Sequence, residues 1–163
     1  MPQVGNKMNQ KKSLTILLEI IWWVATALTA FALVYPIRSA LMAWPFQGWN
    51  VAFIVVLITF TRYIFLLQHT FLARKQVWKV ALILLLIPVT FVLVSGVHGF
   101  MNYVEEQSWD PLTGHLPPDQ KRAIEAYTWG TMIFFGVGSI VAAPILAGRL
   151  FLSIWRTRNR GTV

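Results

Sequence analysis

The chain has 163 residues, of which 56% are hydrophobic and 12% charged, against about 25% charged residues in an average soluble domain. Its mean hydropathy of +0.60 excludes an ordinary water-facing surface, and its lack of cysteine excludes disulfides, thiolate metal sites and cysteine nucleophiles. Fourteen Lys and Arg against six Asp and Glu give a net charge of +8, whose meaning depends on where those charges lie.

Four apolar stretches are each long enough to cross a bilayer, which takes about 20 helical residues. In chain order they are 13–34, 49–72, 78–97 and 127–151. The first is longer than the apolar core of a signal peptide, about 7–15 residues, so we interpret it as a span. The sequence therefore predicts an all-α membrane protein in which a four-transmembrane-helix bundle forms a single membrane domain over residues 1–163.

The distribution of charge orients this bundle. Five of the six acidic residues follow the third span. Lys and Arg instead precede the first span, occupy the connection between the second and third, and follow the fourth. Because Lys and Arg accumulate on the cytoplasmic side of membrane proteins, we expect both termini in the cytoplasm and the chain in the cytoplasmic (inner) membrane. This placement accounts for the positive charge without a nucleic-acid partner. The basic residues concerned are Lys7, Lys11, Lys12, Arg74, Lys75, Lys79, Arg149, Arg156, Arg158 and Arg160.

The segment between the third and fourth spans, residues 98–126, is predicted to form a short periplasmic helical hairpin. Apolar residues at helical spacing over 100–108 would prolong the third helix, and Pro118–Asp119 is typical of the first turn of the next one. The tip is expected near 109–117. This segment also holds the candidate metal ligands, but their spacing matches no known metal motif, so we predict a solvated acidic loop and no metal site. Those candidates are His98, Glu105, Glu106, Asp110 and His115.

A polar seam is predicted between the first two spans. Arg62 lies within one residue of the middle of its predicted span, where an arginine costs about 2.5–3.5 kcal/mol on insertion scales, and Glu19 lies on the neighbouring span. Their Cβ atoms tilt toward opposite helix N-termini and so lean apart, which leaves a bridging water or Thr26 to be considered. The seam is either a structural pair, a proton or ion relay, or a ligand site. Its residues are Glu19, Thr26, Thr59, Arg62, Gln68 and His69.

The fourth span carries a row of small residues at helical spacing. Such rows let helix backbones approach closely within membranes. They serve either packing inside the bundle or docking against another protein, and one sequence leaves both open. The predicted helix-docking face consists of Gly138, Ser139, Ala142, Ala143 and Ala147.

Three functional hypotheses follow, and no catalytic residue or cofactor is predicted for any of them. The first is a non-catalytic accessory, assembly or scaffold subunit with a protein partner or a second copy in the membrane. The second is an oligomeric carrier of a proton, ion or small lipophile that uses Glu19, Arg62 and His69. The third is an enzyme acting on lipid or quinone, although no set of nucleophile and base appears. A haem held by two histidines is not expected, because His69 and His98 fall at opposite ends of the predicted bundle.

Overall fold

The computed structural model describes residues 3–41, 43–67, 70 and 75–159, with residues 3–12 and 15 described by their backbone alone. The described part folds into five α-helices and contains no strand. Four of these helices, all but the short α4, are long and apolar enough to cross a membrane, which confirms the predicted number of spans. In order they are α1 (Gln3–Ala40), α2 (Gln47–Leu66), α3 (Gln76–Gln107), α4 (Asp110–Thr113) and α5 (Pro118–Asn159).

The helix boundaries differ from the predicted ones mainly by being longer. α1 has 38 residues and α5 has 42, which correspond to roughly 57 and 63 Å at about 1.5 Å per residue. Both exceed the hydrocarbon thickness of about 30 Å. α3 continues to Gln107, and α5 begins at Pro118, as the spacing over 100–108 and the Pro–Asp pair predict. The one-turn helix α4 stands where only turns were predicted.

The end of the predicted second span falls largely outside the described residues. α2 ends at Leu66, whereas the apolar run predicts a span to residue 72. Residues 68, 69 and 71–74 lie outside the described part of the chain. The position of Arg62 along the helix changes as a consequence.

α5 is the central helix, because it packs extensively on both α2 and α3, while α1 packs on α2 and touches α5 lightly. The hydroxyl of Ser139 lies 3.0 Å from the carbonyl oxygen of Phe53, and Arg149 contacts the carbonyl oxygen of Ile64. Residue numbers thus rise together along α2 and α5, so these two helices run parallel. Because α3 lies between them in the chain, no single loop connects α2 to α5.

Two glycines allow the closest approaches to α3. A Cβ at Gly136 of α5 would lie 2.6 Å from the Val97 side chain of α3, and a Cβ at Gly96 would lie 2.5 Å from the ring of Trp49. Real Cβ atoms do not make such contacts, so both positions require glycine unless a neighbour moves. They fix how closely α5 and the start of α2 lie against α3.

An aromatic cluster joins the connection between α3 and α5 to the start of α2. Trp44 stacks on Trp109 with ring centroids 6.2 Å apart and an interplanar angle of 7°, and Phe100 lies 6.0 Å from Trp44 and 5.4 Å from Trp129. Offset-stacked and edge-to-face pairs of this kind stabilise a structure by about 0.5–1.5 kcal/mol each beyond their buried area. The cluster consists of Trp44, Phe46, Phe100, Tyr103, Trp109 and Trp129.

The bundle has an acidic end and a basic end. The acidic end is the one near the aromatic cluster, and the described acids Glu105, Glu106, Asp110, Asp119 and Glu125 belong to it. At the opposite end, where α2 and α5 finish and α3 begins, the basic residues whose side chains are described are Arg62, Lys75, Lys79, Arg149, Arg156 and Arg158.

Candidate functional site

The structure brings Glu19 of α1 and Arg62 of α2 into direct contact near the basic end. The Nη2 atom of Arg62 lies 2.8 Å from Oε1 of Glu19, and the two side chains are 7% and 24% exposed. No bridge is needed, since Thr26 donates its hydroxyl to the carbonyl of Trp22 in its own helix at 2.7 Å. The two long side chains are therefore able to overcome the opposed tilt of their Cβ atoms.

Aromatic rings enclose the guanidinium of Arg62. Its central carbon lies 5.6 Å from the ring centroid of Trp22 and 5.8 Å from that of Tyr63, within the range of cation–π attraction. The Nε atom is buried and has no hydrogen-bond partner among the described residues. One carboxylate and two ring faces thus surround an arginine that still has an unused donor.

The depth of Arg62 differs from the prediction. Because α2 ends at Leu66, Arg62 lies about 6 Å from the end of its helix at about 1.5 Å per residue, and not at its middle.

The remaining residues of the predicted seam are not gathered at this pair. Thr59 donates its hydroxyl to the carbonyl of Val55 at 2.7 Å, and Thr26 is likewise bonded within α1. Such bonds to the preceding turn satisfy a hydroxyl without linking helices. Gln68 and His69 lie outside the described residues. Glu19 and Arg62 are therefore the two seam residues that the structure joins.

A groove of about 420 Å³ lies beside this pair, between Trp22 of α1 and the outward side of α2. Apart from Arg62 and Thr61, its walls are aliphatic or aromatic, and Phe65 stands at its rim with 72% of its surface exposed. The volume falls within the range of about 300–1,000 Å³ that is common for small-molecule sites. The lining residues are Trp22, Leu57, Ile58, Thr61, Arg62, Phe65 and Leu66.

Other polar side chains tie neighbouring helices together. The Nε atom of Arg149 donates to the carbonyl of Ile64 at 3.2 Å, which satisfies one of the last α2 carbonyls, groups that a helix leaves without partners. Lys79, in the first turn of α3, is almost fully buried, and its Nζ atom donates to Oγ of Ser153 at 3.0 Å. Sequence reasoning assigned both cations to the cytoplasmic surface. Each cation stands among apolar residues at helical spacing, and this pattern could have predicted that both contact a neighbouring helix.

The row of small residues on α5 faces into the chain. Ser139 is fully buried, and its hydroxyl lies 3.0 Å from the Phe53 carbonyl oxygen and 2.7 Å from that of Phe135. Ala142 and Ala143 are buried, Ala147 packs against the same core, and a Cβ at Gly138 would meet Leu57 at 3.0 Å. Of the two interpretations of this row, packing within the bundle describes the observed contacts.

At the acidic end, the candidate metal ligands have separate neighbours. His98 pairs with Asn102 at 3.3 Å, and Nε2 of His115 lies 3.1 Å from the carbonyl oxygen of Ala40, the last residue of α1. Glu105 and Glu106 are exposed. Within the part of the chain that the structure describes, no group of three or more His, Asp or Glu side chains could hold a metal ion.

Two side-chain contacts fasten α4 to the start of α5. Lys121 forms an ion pair with Asp110, and the hydrogen bond from Lys121 together with its charge holds the pKa of the Asp110 carboxyl below its usual range. Thr113, fully buried, donates its hydroxyl to Glu125 at 2.6 Å. The connection between α3 and α5 is thus an ordered structure.

Two further buried polar groups were not predicted. Asn50, in the first turn of α2, and Thr128 of α5 are both fully buried, and neither side chain has a hydrogen-bond partner among the described residues. Each is a polar residue inside an apolar span, which the sequence does show. Such hydroxyls and amides most often form hydrogen bonds within a bundle, so the sequence does not predict that these two lack a partner.

Comparisons with protein-family models, with curated proteins and with solved structures find no match to this chain.

Proposed function

We propose that this chain is a multi-pass protein of the cytoplasmic membrane, with both termini in the cytoplasm, that works as a non-catalytic accessory, assembly or scaffold subunit. The basic end would face the cytoplasm and the ordered connection between α3 and α5 the periplasm. The surplus of Lys and Arg at one end supports this orientation, because such residues are retained on the cytoplasmic side.

The main support for a subunit role is that interior polar groups form bonds between helices. Ser139, Lys79 and Arg149 each bond to a neighbouring helix, and Arg62 pairs with Glu19 across α1 and α2. Groups that line a transport path or an active site must instead be available to a substrate. Asn50, Thr128 and the Nε of Arg62 have no such bond among the described residues, but the interior cations and Ser139 hold helices together. This use of interior polar groups favours a protein that acts through its outer surface.

α1 is the helix we propose as the contact surface for a partner. It is the least buried of the four spans, and three polar contacts tie it to the bundle: the Glu19–Arg62 pair, the hydroxyl of Tyr127 on the carbonyl of Leu33 at 3.0 Å, and Nε2 of His115 at 3.1 Å from the carbonyl oxygen of Ala40. Apolar area alone gives helices little reason to associate in lipid. The side of α1 that faces away from these contacts is therefore open to another protein, and on it Leu28 and Phe31 are more than 60% exposed.

Site-specific photo-crosslinking in the native membrane tests this role. A photoreactive residue at Leu28, which is 63% exposed, should give a discrete product of defined mass, and the same residue at Phe91 of α3, which is 73% exposed, should not. Purification in mild detergent should then recover that partner, or a second copy of this chain, in a fixed ratio. If Leu28 and Phe91 behave alike and the chain purifies alone and monodisperse, the subunit proposal is wrong.

A further inference from the structure

The groove beside Arg62 has the form of a ligand site open toward the membrane. Thr61 and Phe65, which line it, are exposed at its rim, while Arg62 is 7% exposed and carries a buried Nε donor without a partner. The walls of the groove are therefore almost wholly apolar, with Thr61 and Arg62 as the two polar residues among them. A ligand that matches it has an apolar chain attached to a polar head.

The position of the groove along α2 narrows the class of ligand. It extends from Leu57 to Leu66, the last residue of the helix, so it lies within the span and reaches its basic end. A molecule in the bilayer whose chain fills this groove would place its head beyond Leu66. That is the arrangement of a phospholipid in the leaflet on this side.

Charge decides between neutral and anionic phospholipids. In the described part of the chain, Arg156 and Arg158 are exposed at the basic end, and Glu19, the one described acid near it, is already engaged by Arg62. Each Lys or Arg near a membrane surface adds to the attraction for anionic lipid. The surplus of positive charge therefore favours a negatively charged head group.

We propose that the groove holds one acyl chain of an anionic phospholipid, with the phosphate at the basic end of the bundle. Arg62, whose charge Glu19 balances, forms part of the groove wall, and the exposed arginines of α5 supply the selectivity for charge. The proposal rests on the membrane placement given above and is independent of the subunit role.

Native mass spectrometry of the purified chain tests the proposal. The protein would be mixed with equal amounts of phosphatidylglycerol and phosphatidylcholine that carry identical acyl chains. We expect one retained phospholipid per chain, with phosphatidylglycerol preferred by about tenfold, as expected from one to two basic residues near the head group. Replacing Arg156 and Arg158 together by glutamine should bring the two lipids close to equal retention.

Three variants separate binding in the groove from general lipid association. Thr61→Trp fills the groove from its exposed rim and should lower retention of both lipids, and Phe65→Ala removes part of the wall and should lower it by a second route. Leu85→Trp, at a position on α3 that is 55% exposed, is the control and should retain lipid like the wild type. Thermal unfolding of each variant checks that the fold is preserved.

Three results would overturn the proposal: equal retention of the two lipids by the wild type, unchanged retention in both Thr61→Trp and Phe65→Ala, or a bound neutral prenyl lipid in place of phospholipid. Because the measurement uses the purified chain without a partner, such a failure would leave the subunit proposal standing.

Discussion

At the scale of single residues, the pair of Glu19 and Arg62 is the feature whose removal is most informative. Each group lies in an apolar setting, and the charge of each is balanced by the other at 2.8 Å. Breaking one partner of a buried pair leaves an uncompensated charge, whereas removing both leaves apolar surface. The energetic signature of such a pair is therefore a loss that is smaller for the double variant than for the sum of the single ones.

We expect Arg62→Leu and Glu19→Leu each to lower the free energy of unfolding by about 3 kcal/mol, the lower part of the range for buried pairs, because Glu19 is partly exposed. The double variant should lose clearly less than the two combined. Unfolding in detergent, followed by circular dichroism, measures all three. Thr29→Val, at an exposed position of α1, is the control. Strictly additive losses would mean that the two residues are stabilised by different partners.

Two glycines of α5 give a matched comparison of close packing. A Cβ at Gly136 would lie 2.6 Å from Val97, while one at Gly130 would meet nothing within 4 Å. We expect Gly136→Ala to destabilise the protein by about 1–3 kcal/mol through overpacking. Gly130→Ala should be neutral or stabilise it by up to about 1 kcal/mol through helix propensity. Thermal unfolding distinguishes them, and equal effects would show that α3 moves away from α5 at little cost.

At the scale of helices, the one-turn helix α4 is ordered by what it contacts. Four residues are too few for a helix to persist alone. α4 is fastened to α5 by the Asp110–Lys121 and Thr113–Glu125 contacts, and Trp109, which precedes it, stacks on Trp44. It therefore fixes the connection between α3 and α5 against the start of α2.

The Asp110–Lys121 pair gives α4 a defined dependence on pH. The folded pKa of Asp110 is lowered by the hydrogen bond and charge of Lys121, so its contribution is complete above the unfolded pKa of about 3.9 and is lost as pH falls through the lower folded value. The difference in thermal midpoint between the wild type and Asp110→Asn should be constant from neutral to mildly acidic pH. It should then shrink in strong acid. A difference that instead grew in acid would contradict this pair.

The sequence predicts the four spans because length and apolar composition are sufficient for that purpose, but it predicts contacts only in part. Pairing of Glu19 with Arg62 follows from the cost of isolated charges in hydrocarbon. Burial of Lys79 does not follow, because a lysine at a span end usually extends to the surface. Trp44 and Trp109 likewise stand near span ends, where indoles are typical of the membrane interface, and only tertiary structure shows that they stack on each other.

At the scale of the whole molecule, charge is separated along the bundle axis, and this separation supports the proposed orientation. Five acids belong to one end, while Arg149, Arg156 and Arg158 of α5 and Lys75 and Lys79 at the start of α3 belong to the other. The chain has no cysteine, so single cysteines can be introduced and labelled without interference.

Cysteines at Ser108 and Asp119, both exposed, should react with an impermeant reagent added to intact cells. A cysteine at Thr157, exposed at the other end of α5, should react only after the membrane is opened. A cysteine at Phe91, within the apolar part of α3, is the control for sites inside the bilayer and should react in neither case. Labelling of Thr157 from outside would reverse the proposed topology.

The order of helices along the chain differs from the order in which they are packed. α5, which lies against both α2 and α3, is the last of the described helices to leave the ribosome. During biosynthesis, α2 and α3 would enter the bilayer as separate helices and wait there, since insertion and association are distinct stages for membrane helices. Any product interrupted before residue 118 would hold three inserted helices without their common partner. Membrane proteases would degrade such an incomplete product, so the bundle becomes stable only after α5 has been inserted.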